Sequence, residues 1–347
     1  MLIASVGPLS REFDTALVDL DGVAYRGPEP VPYAVASLAR ARSDGMGLAF
    51  VTNNASRTPE EVAKQLTSLG IDAEPSEVTT AAQAAAAVLS GRLEPGAKVL
   101  VVGGAGLQRS VREAGFTVVA SADDAPDAVV QGFASDVSWR DLAEAAYAVQ
   151  RGAWHVVSNR DMTLPNERGL APGNGSLVAA VLAATGVEPV SAGKPEPTMF
   201  RLAARRRGSS RTLVIGDRLD TDLAGARAAG YAGLHVLTGV STARDVVLAT
   251  PGERPTFIGA DLRTLLVAHP GPERGPEGWW TCGGTAARVA AGELELDPAP
   301  GPGGLSTDGL RSACAAAWHA ADDGAPLARI RVPDLRVHEP GSDGLDR

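Results

Sequence analysis

Two aspartates, Asp19 and Asp21, stand two residues apart where the apolar run of ALVDLDGVAY (16–25) ends. Alternation along a strand sends both to one side. Gly22 directly after them predicts a turn, which holds both at the strand's carboxyl end, the edge where α/β sheets bind ligands. Taken alone, the stretch reads about equally well as a plain Asp-Gly turn. Farther on, VIGDRLDTDLAGARAAG (214–230) places Asp217, Asp220 and Asp222 within six residues after another apolar run. Three carboxylates so close repel one another unless a cation or hydrogen bonds compensate. Asp217 and Asp222 have a spacing that suits a metal shell, and Asp220 reads as a helix cap. Between these acids lies FVTNNAS (50–56), whose Thr52, Asn53 and Asn54 offer a hydroxyl, two amides and several backbone N–H groups to an anion. Then comes AGKPEP (192–197), where Pro195 and Pro197 stiffen a loop around Lys194. Only three of the 32 basic residues are lysine, so a compact ammonium at this point suggests a role for a point charge on a slim stem. If one rim collects Asp19, Asp21, Thr52, Lys194, Asp217 and Asp222, the cluster requires a hard cation. Oxygen ligands without histidine favour Mg²⁺, which pairs with a substrate phosphate. None of the five histidines, His155, His235, His269, His319 and His338, adjoins these stretches.

The elements that must position these residues follow from the apolar pattern. Runs rich in Val and Leu at 15–21, 47–54, 97–104, 127–133, 154–159, 211–217 and 233–239 alternate with helical patterns. That alternation predicts an α/β protein with doubly wound, Rossmann-like parallel sheets covered on both faces. Thr58-Pro-Glu-Glu61 is a capping box for a helix to about Leu69, and the patterns at 138–152 and 175–186 predict two more helices that close on glycine. VVGGAGLQRS (101–110) has Arg109 where a GxGxxG fingerprint needs its third glycine, so it reads as a strand-to-helix turn rather than a dinucleotide site. Residues 270–278 read as a Pro/Gly-rich linker. After it, 278–284 and 287–296 look strand-like, 309–321 helical and 328–332 strand-like, which predicts a small α+β appendage.

Bulk properties exclude several function classes. A formal charge of -9 argues against nucleic-acid or anionic-membrane partners. No apolar run of about 18 residues occurs, so no membrane span is expected. The N-terminus lacks the pattern of a signal peptide, and two cysteines, Cys282 and Cys314, fit a reducing compartment. The expectation is a soluble cytoplasmic protein. Trp279, Trp280 and Trp318 in the tail read as core aromatics, with a homo-oligomer contact as the alternative.

In this order, DLDG, TNN, GKPEP and GDRLDTD resemble the four motifs of the haloacid dehalogenase (HAD) superfamily of phosphatases. The wording DLDGVAYRG and FVTNNAS is nearest the branch that includes p-nitrophenylphosphatases and phosphatases of nucleotides, pyridoxal phosphate, phosphoglycolate and glycerol 3-phosphate. The resemblance covers about residues 12–260. It implies a HAD core at 1–74 and 190–264. An α/β cap is expected at 75–189, because Thr52 and Lys194 are 142 residues apart whereas Asp19 and Thr52 are separated by 33. The appendage is expected at 278–335.

The resemblance also implies roles. Asp19 is the nucleophile and Asp21 the acid–base. Thr52, Asn53, Asn54 and Lys194 hold phosphate. Asp19, Asp21 through its carbonyl, and Asp217 hold Mg²⁺, with Asp222 behind them. The loop 158–175 resembles the family's substrate-specificity loop, with Asp161, Asn166 and Arg168 as its polar candidates. Leu164 and Ser56 stand where pyridoxal phosphate phosphatases carry histidine and arginine, which counts against that substrate. The GWW and LRSACAAAW segments are similar to the tail of actinobacterial glycerol-3-phosphate phosphatases. A small phosphorylated metabolite, glycerol 3-phosphate first, is therefore the expected substrate. Other phosphomonoesters, phosphotransfer to an alcohol and an idle regulatory phosphate-binding module are the competing readings.

Overall fold

The computed structural model describes residues 1–166, 168–299 and 304–337. Two compact units account for them. One comprises Met1–Leu48, Leu69–Ile71 and the described part of Arg207–Arg347; the other comprises Ala49–Ser68 and Asp72–Arg206.

In the first unit, Thr15–Asp19 pairs in parallel with Thr212–Gly216, which pairs with Ala232–Val236, which pairs with Phe257–Gly259. Every residue of the first two strands is buried, as continuous apolar runs in a parallel sheet require. Asp14, just before the first strand, fastens the entry to its neighbour: its carboxylate accepts from the Ser209 hydroxyl (2.6 Å), both the N–H and hydroxyl of Ser210, and the Arg211 N–H (2.9 Å). Desolvation opposes its ionisation, but these donors prevail and hold its pKa well below the usual carboxylate range.

The tail differs from its sequence reading in three places. The supposed linker contributes a strand, Glu273–Arg274, at the edge of a four-stranded antiparallel sheet. Residues 287–296 are not one strand. Thr285–Ala290 and Glu293–Asp297 form a hairpin whose turn, Ala291-Gly292, has φ of 50° and 79°, the left-handed pair of a tight two-residue turn. Residues 328–332 make only an isolated bridge, Glu293 to Arg331, and a short helical turn at Leu327–Arg329. The helix Thr307–Asp322 is as expected, and it packs on this sheet. Its Trp318, with Trp280, Leu310 and Cys314, shares one apolar cluster with Leu219, Val246, Val247 and Ile258 of the parallel-sheet region. The Trp318 indole N–H donates to the Val246 carbonyl at 3.1 Å. Trp280 and Trp318 are thus core residues, while Trp279 lies under the Arg288 guanidinium.

In the second unit, Gly47–Thr52, which enters from the first unit at Ala49, pairs in parallel with Val78–Thr80. A five-stranded parallel sheet follows in the order Val190–Ser191, Trp154–Val157, Ala128–Gln131, Lys98–Val102, Thr117–Val119. Four of its strands fall in the stretch where an inserted α/β cap is expected, and Val190–Ser191 lies just beyond it. The Thr58–Glu61 capping box forms in both directions (2.7 and 3.3 Å) and opens Pro59–Ser68. Trp139–Gln150 and Asn174–Thr185 are the other two expected helices, the second ending at Gly186. Arg109 lies in the helix Ala105–Glu113 and pairs with Glu60 and Glu113, so the glycine cluster before it is a strand-to-helix turn. Among the described residues, no helix is long and apolar enough to cross a membrane.

Candidate active site

The acid cluster belongs to the first unit. Asp19 ends its strand, Asp217 directly follows the neighbouring one, and Asp222 sits in the wide helical turn Leu219–Leu223. All three are buried, and each offers a carboxylate oxygen such that these oxygens lie within 4.8 Å of one another. Like charges at that distance in a buried site repel strongly. Local hydrogen bonds offset part of the cost. The Val240 N–H donates to Asp217 Oδ2 at 2.7 Å and the Arg218 N–H to Asp222 Oδ2 at 3.2 Å. The donor set is all oxygen, the chemistry preferred by a hard divalent cation such as Mg²⁺. Asp222 therefore stands as close to the cluster as its two partners, a closer position than its sequence reading gave it. Asp220 does not join them: it turns to Arg218, whose Nη2 and Nε reach its two oxygens at 2.7 and 3.0 Å. The Arg218 hydrogen bonds lower its pKa.

Asp21 is exposed two residues beyond the buried Asp19. The expected turn is present. The N–H groups of Val23, Ala24 and Tyr25 converge on the Leu20 carbonyl, and Gly22 has φ of 85°. Two like groups thus occupy unlike surroundings, a condition for different protonation roles.

The loop after Ala232–Val236 was read only as a strand end, yet it supplies the Val240 donor. Its Gly239 is the residue that permits the approach, because a Cβ there would fall 1.8 Å from Asp217 Oδ2. The signal was a Thr-Gly pair after a strand. Gly239→Ala should displace the Asp217 carboxylate and raise the Mg²⁺ concentration for half-maximal activity by about tenfold or more. A metal titration checks this, and an unchanged midpoint would remove Asp217 from the ligand set.

The amide and ammonium residues belong to the second unit. Thr52 is buried at its strand end, where its hydroxyl accepts from the Asn54 N–H at 3.1 Å. Asn53 Oδ1 accepts from the Lys194 N–H at 2.9 Å, and Asn53 Nδ2 donates to the Lys194 carbonyl at 3.3 Å and to Asp161 Oδ2 at 3.1 Å. Lys194 is itself buried. The structure thus brings together Asn53, Lys194 and Asp161, from three distant parts of the chain. Asn54 Oδ1 accepts from the Ser56 N–H and hydroxyl and the Arg57 N–H, so that oxygen shapes the turn. Of the loop candidates, Arg168 is exposed in the turn between the antiparallel strands Thr163–Asn166 and Gly169–Pro172. Asn166 pairs in register with Gly169, and its side chain lies outside the described residues. Leu164 is exposed on the same hairpin.

Two residues went unnoticed in the sequence. Asn159 Nδ2 donates to the Asn53 carbonyl at 2.7 Å, and its Oδ1 accepts from the Asp161 N–H at 3.1 Å. Buried Asn174 donates to the Asn159 carbonyl at 2.7 Å. Both bond to main-chain atoms, which leaves no side-chain pattern to read.

Residues 16–117 match the family described as haloacid dehalogenase-like hydrolase, and residues 191–265 match a second HAD-hydrolase-like family. The chain is 47% identical over 338 residues to the D-glycerol 3-phosphate phosphatase of Mycobacterium tuberculosis, covering 95% of this chain and 93% of that one. It is 39% identical over 258 residues to an acid sugar phosphatase of Staphylococcus aureus, covering 74% of this chain and 98% of the relative. Among solved structures, the M. tuberculosis glycerol phosphate phosphatase in complex with magnesium superposes with a TM-score of 0.83 at 44% identity, over 95% of this chain and 96% of that one. A thermostable NPPase from Geobacillus stearothermophilus gives a TM-score of 0.67 at 35% identity, over 73% of this chain and 97% of the other.

Proposed function

Because this chain belongs to the haloacid dehalogenase-like hydrolases, we propose that it removes phosphate from a small phosphorylated metabolite by a covalent route, with glycerol 3-phosphate as the substrate. That it is a phosphatase and that Mg²⁺ is its cofactor rest on the relatives together. The observation that carries the reading is the buried trio Asp19, Asp217 and Asp222, whose convergent oxygens repel one another and which a bound cation would stabilise. The Asp19 and Asp217 carboxylates and the Asp21 carbonyl would hold the ion, and the Asp222 carboxylate, within the same 4.8 Å, is near enough to share it or to orient a water on it. When bound, Mg²⁺ neutralises charge on the phosphate and the nucleophile.

In this reading an Asp19 oxygen attacks phosphorus in line, and an acyl phosphate replaces the ester bond. Exposed Asp21 gives its proton to the departing alkoxide and then takes one from the water that cleaves the acyl phosphate. Thr52, the main-chain N–H of Asn53 and the Asn54 side-chain nitrogen donate to the transferring phosphoryl oxygens, and Lys194 balances their charge. These roles follow from the motif resemblance, one set of residues in each unit. We place the enzyme in the cytoplasm and assign residues 75–189 as a cap that limits water and selects the leaving group, with Asp161, Asn166 and Arg168 as the polar residues of its loop.

Glycerol 3-phosphate as substrate rests on the full-length similarity to the mycobacterial enzyme, tail included. A panel of phosphomonoesters tests it. The expected result is a kcat/KM for glycerol 3-phosphate at least about tenfold above those for phosphoglycolate, UMP and pyridoxal phosphate, since leaving-group contacts differing by 1.4 kcal/mol give that ratio. Equal values across the panel would overturn the substrate assignment while leaving the phosphatase intact.

A further inference from the structure

Asp161 sits in the loop expected to read the substrate, and an acid there invites the role of a leaving-group contact. Among the described residues its hydrogen-bond partners are internal. Asp161 Oδ2 accepts from Asn53 Nδ2, and its own N–H donates to Asn159 Oδ1. The Asn53 carboxamide is then held at both ends: its oxygen takes the Lys194 N–H and its nitrogen is divided between the Lys194 carbonyl and the Asp161 carboxylate. A second amide, Asn159, clamps the Asn53 carbonyl, and a third, Asn174 at the start of Asn174–Thr185, clamps Asn159 in turn. Asn159 and Asn174 are buried, so each lost bond would strand a polar group away from water. Close packing of the backbone supports the same clamp. A Cβ at Gly193, next to Lys194, would meet the Ser158 carbonyl at 2.4 Å and Asn53 Oδ1 at 2.6 Å.

We propose that Asp161 is a positioning residue: its carboxylate fixes the Asn53 carboxamide, and with it the Thr52–Asn53–Asn54 loop and the Lys194 backbone, instead of recognising the leaving group. The inference rests on the reading that this loop holds phosphate. A charged acceptor makes the Asn53 bond stronger than an amide acceptor would, and the carboxylate leaves the carboxamide one orientation that satisfies both ends. What it governs is therefore common to every substrate, because all share the phosphoryl group.

The experiment compares Asp161→Ala, Asp161→Asn, Asn53→Ala and the double alanine variant, on glycerol 3-phosphate and on p-nitrophenyl phosphate. Asp161→Ala should lose about 10- to 100-fold in kcat/KM by the same factor on both substrates. Asp161→Asn, whose amide oxygen can still accept from Asn53, should recover to within about threefold of the unaltered enzyme. The double variant should be no worse than Asn53→Ala alone, since Asp161 acts through Asn53. A loss confined to one substrate would overturn the proposal and make Asp161 a leaving-group contact. Additive losses in the double variant, or none in Asp161→Ala, would also overturn it. A readout free of turnover separates this from the assigned reaction. Inorganic phosphate with Mg²⁺ should raise the Tm of the unaltered protein, and Asp161→Ala and Asn53→Ala should abolish that rise equally. If the unaltered protein hydrolyses neither ester yet shows this pattern, the reaction is wrong and the positioning role stands. If phosphate protects Asp161→Ala fully, the positioning role is wrong whatever the turnover.

Discussion

Asp19→Asn should cut phosphate release from every phosphomonoester by at least about a thousandfold. Two losses combine in this one substitution. The amide is a poor nucleophile toward phosphorus, so the covalent step has no substitute within the chain. It also removes one of three charges from a cluster whose oxygens lie within 4.8 Å, which weakens the hold on a cation. These losses can be separated. Acid quenching during turnover of radiolabelled substrate should leave label on the unaltered protein and none on Asp19→Asn, even at Mg²⁺ concentrations that saturate the variant. Retention of more than about a tenth of the activity would discard the covalent route.

Acid should destabilise both units well above the range in which ordinary carboxylates titrate. Burial pushes the His155 imidazole of the second unit down to about 4, assisted by the Arg160 charge. Burial does the same to His269 of the first unit, with Arg311 adding to it. The Arg311 guanidinium lies 3.1 Å from His269 Nδ1 and the other ring nitrogen contacts the Thr264 carbonyl, an arrangement for a neutral ring that donates from Nε2. In the unfolded chain both rings protonate near 6.5, so below that pH the unfolded state binds more protons than the native one. The contribution is complete above pH 6.5 and is lost as pH falls toward 4. At pH 5 the loss amounts to about 2 kcal/mol for each histidine, a sizeable part of a net stability of roughly 5–15 kcal/mol. Urea midpoints at pH 7 and pH 5 test this. His155→Gln and His269→Gln should each flatten the slope, and equal midpoints for the unaltered protein at the two pH values would refute it.

The longer parallel strands were legible because burial on both faces demands unbroken runs of Val and Leu, whereas Val78–Thr80, Thr117–Val119, Val190–Ser191 and Phe257–Gly259 went unread because so short a strand makes no such run. The acid trio was legible for a related reason. Strand ends are marked by the run stopping, and the residues that follow, Asp19 and Asp217, keep their order along the rim. The tail was harder. Its strands are short, and the Ala291-Gly292 turn is hidden because alanine is apolar and gives no break in ARVAAGELEL. Arg331 reads as strand by alternation yet makes a single bridge, since strand length depends on an available neighbour and not on propensity alone. The clamp of Asn159 and Asn174 on Asn53 was invisible on the same principle: a side chain that bonds to a distant carbonyl has no local signature.

The apolar cluster that unites Trp318, Leu310 and Cys314 with Leu219, Val246 and Ile258 has a consequence for ancestry. A homologue that ends before the tail must clothe the equivalents of Leu219 and Val246 in some other way or make them polar. Hydrophobicity at those few positions therefore becomes a genomic marker, readable without any coordinates, for lineages that acquired the extra segment.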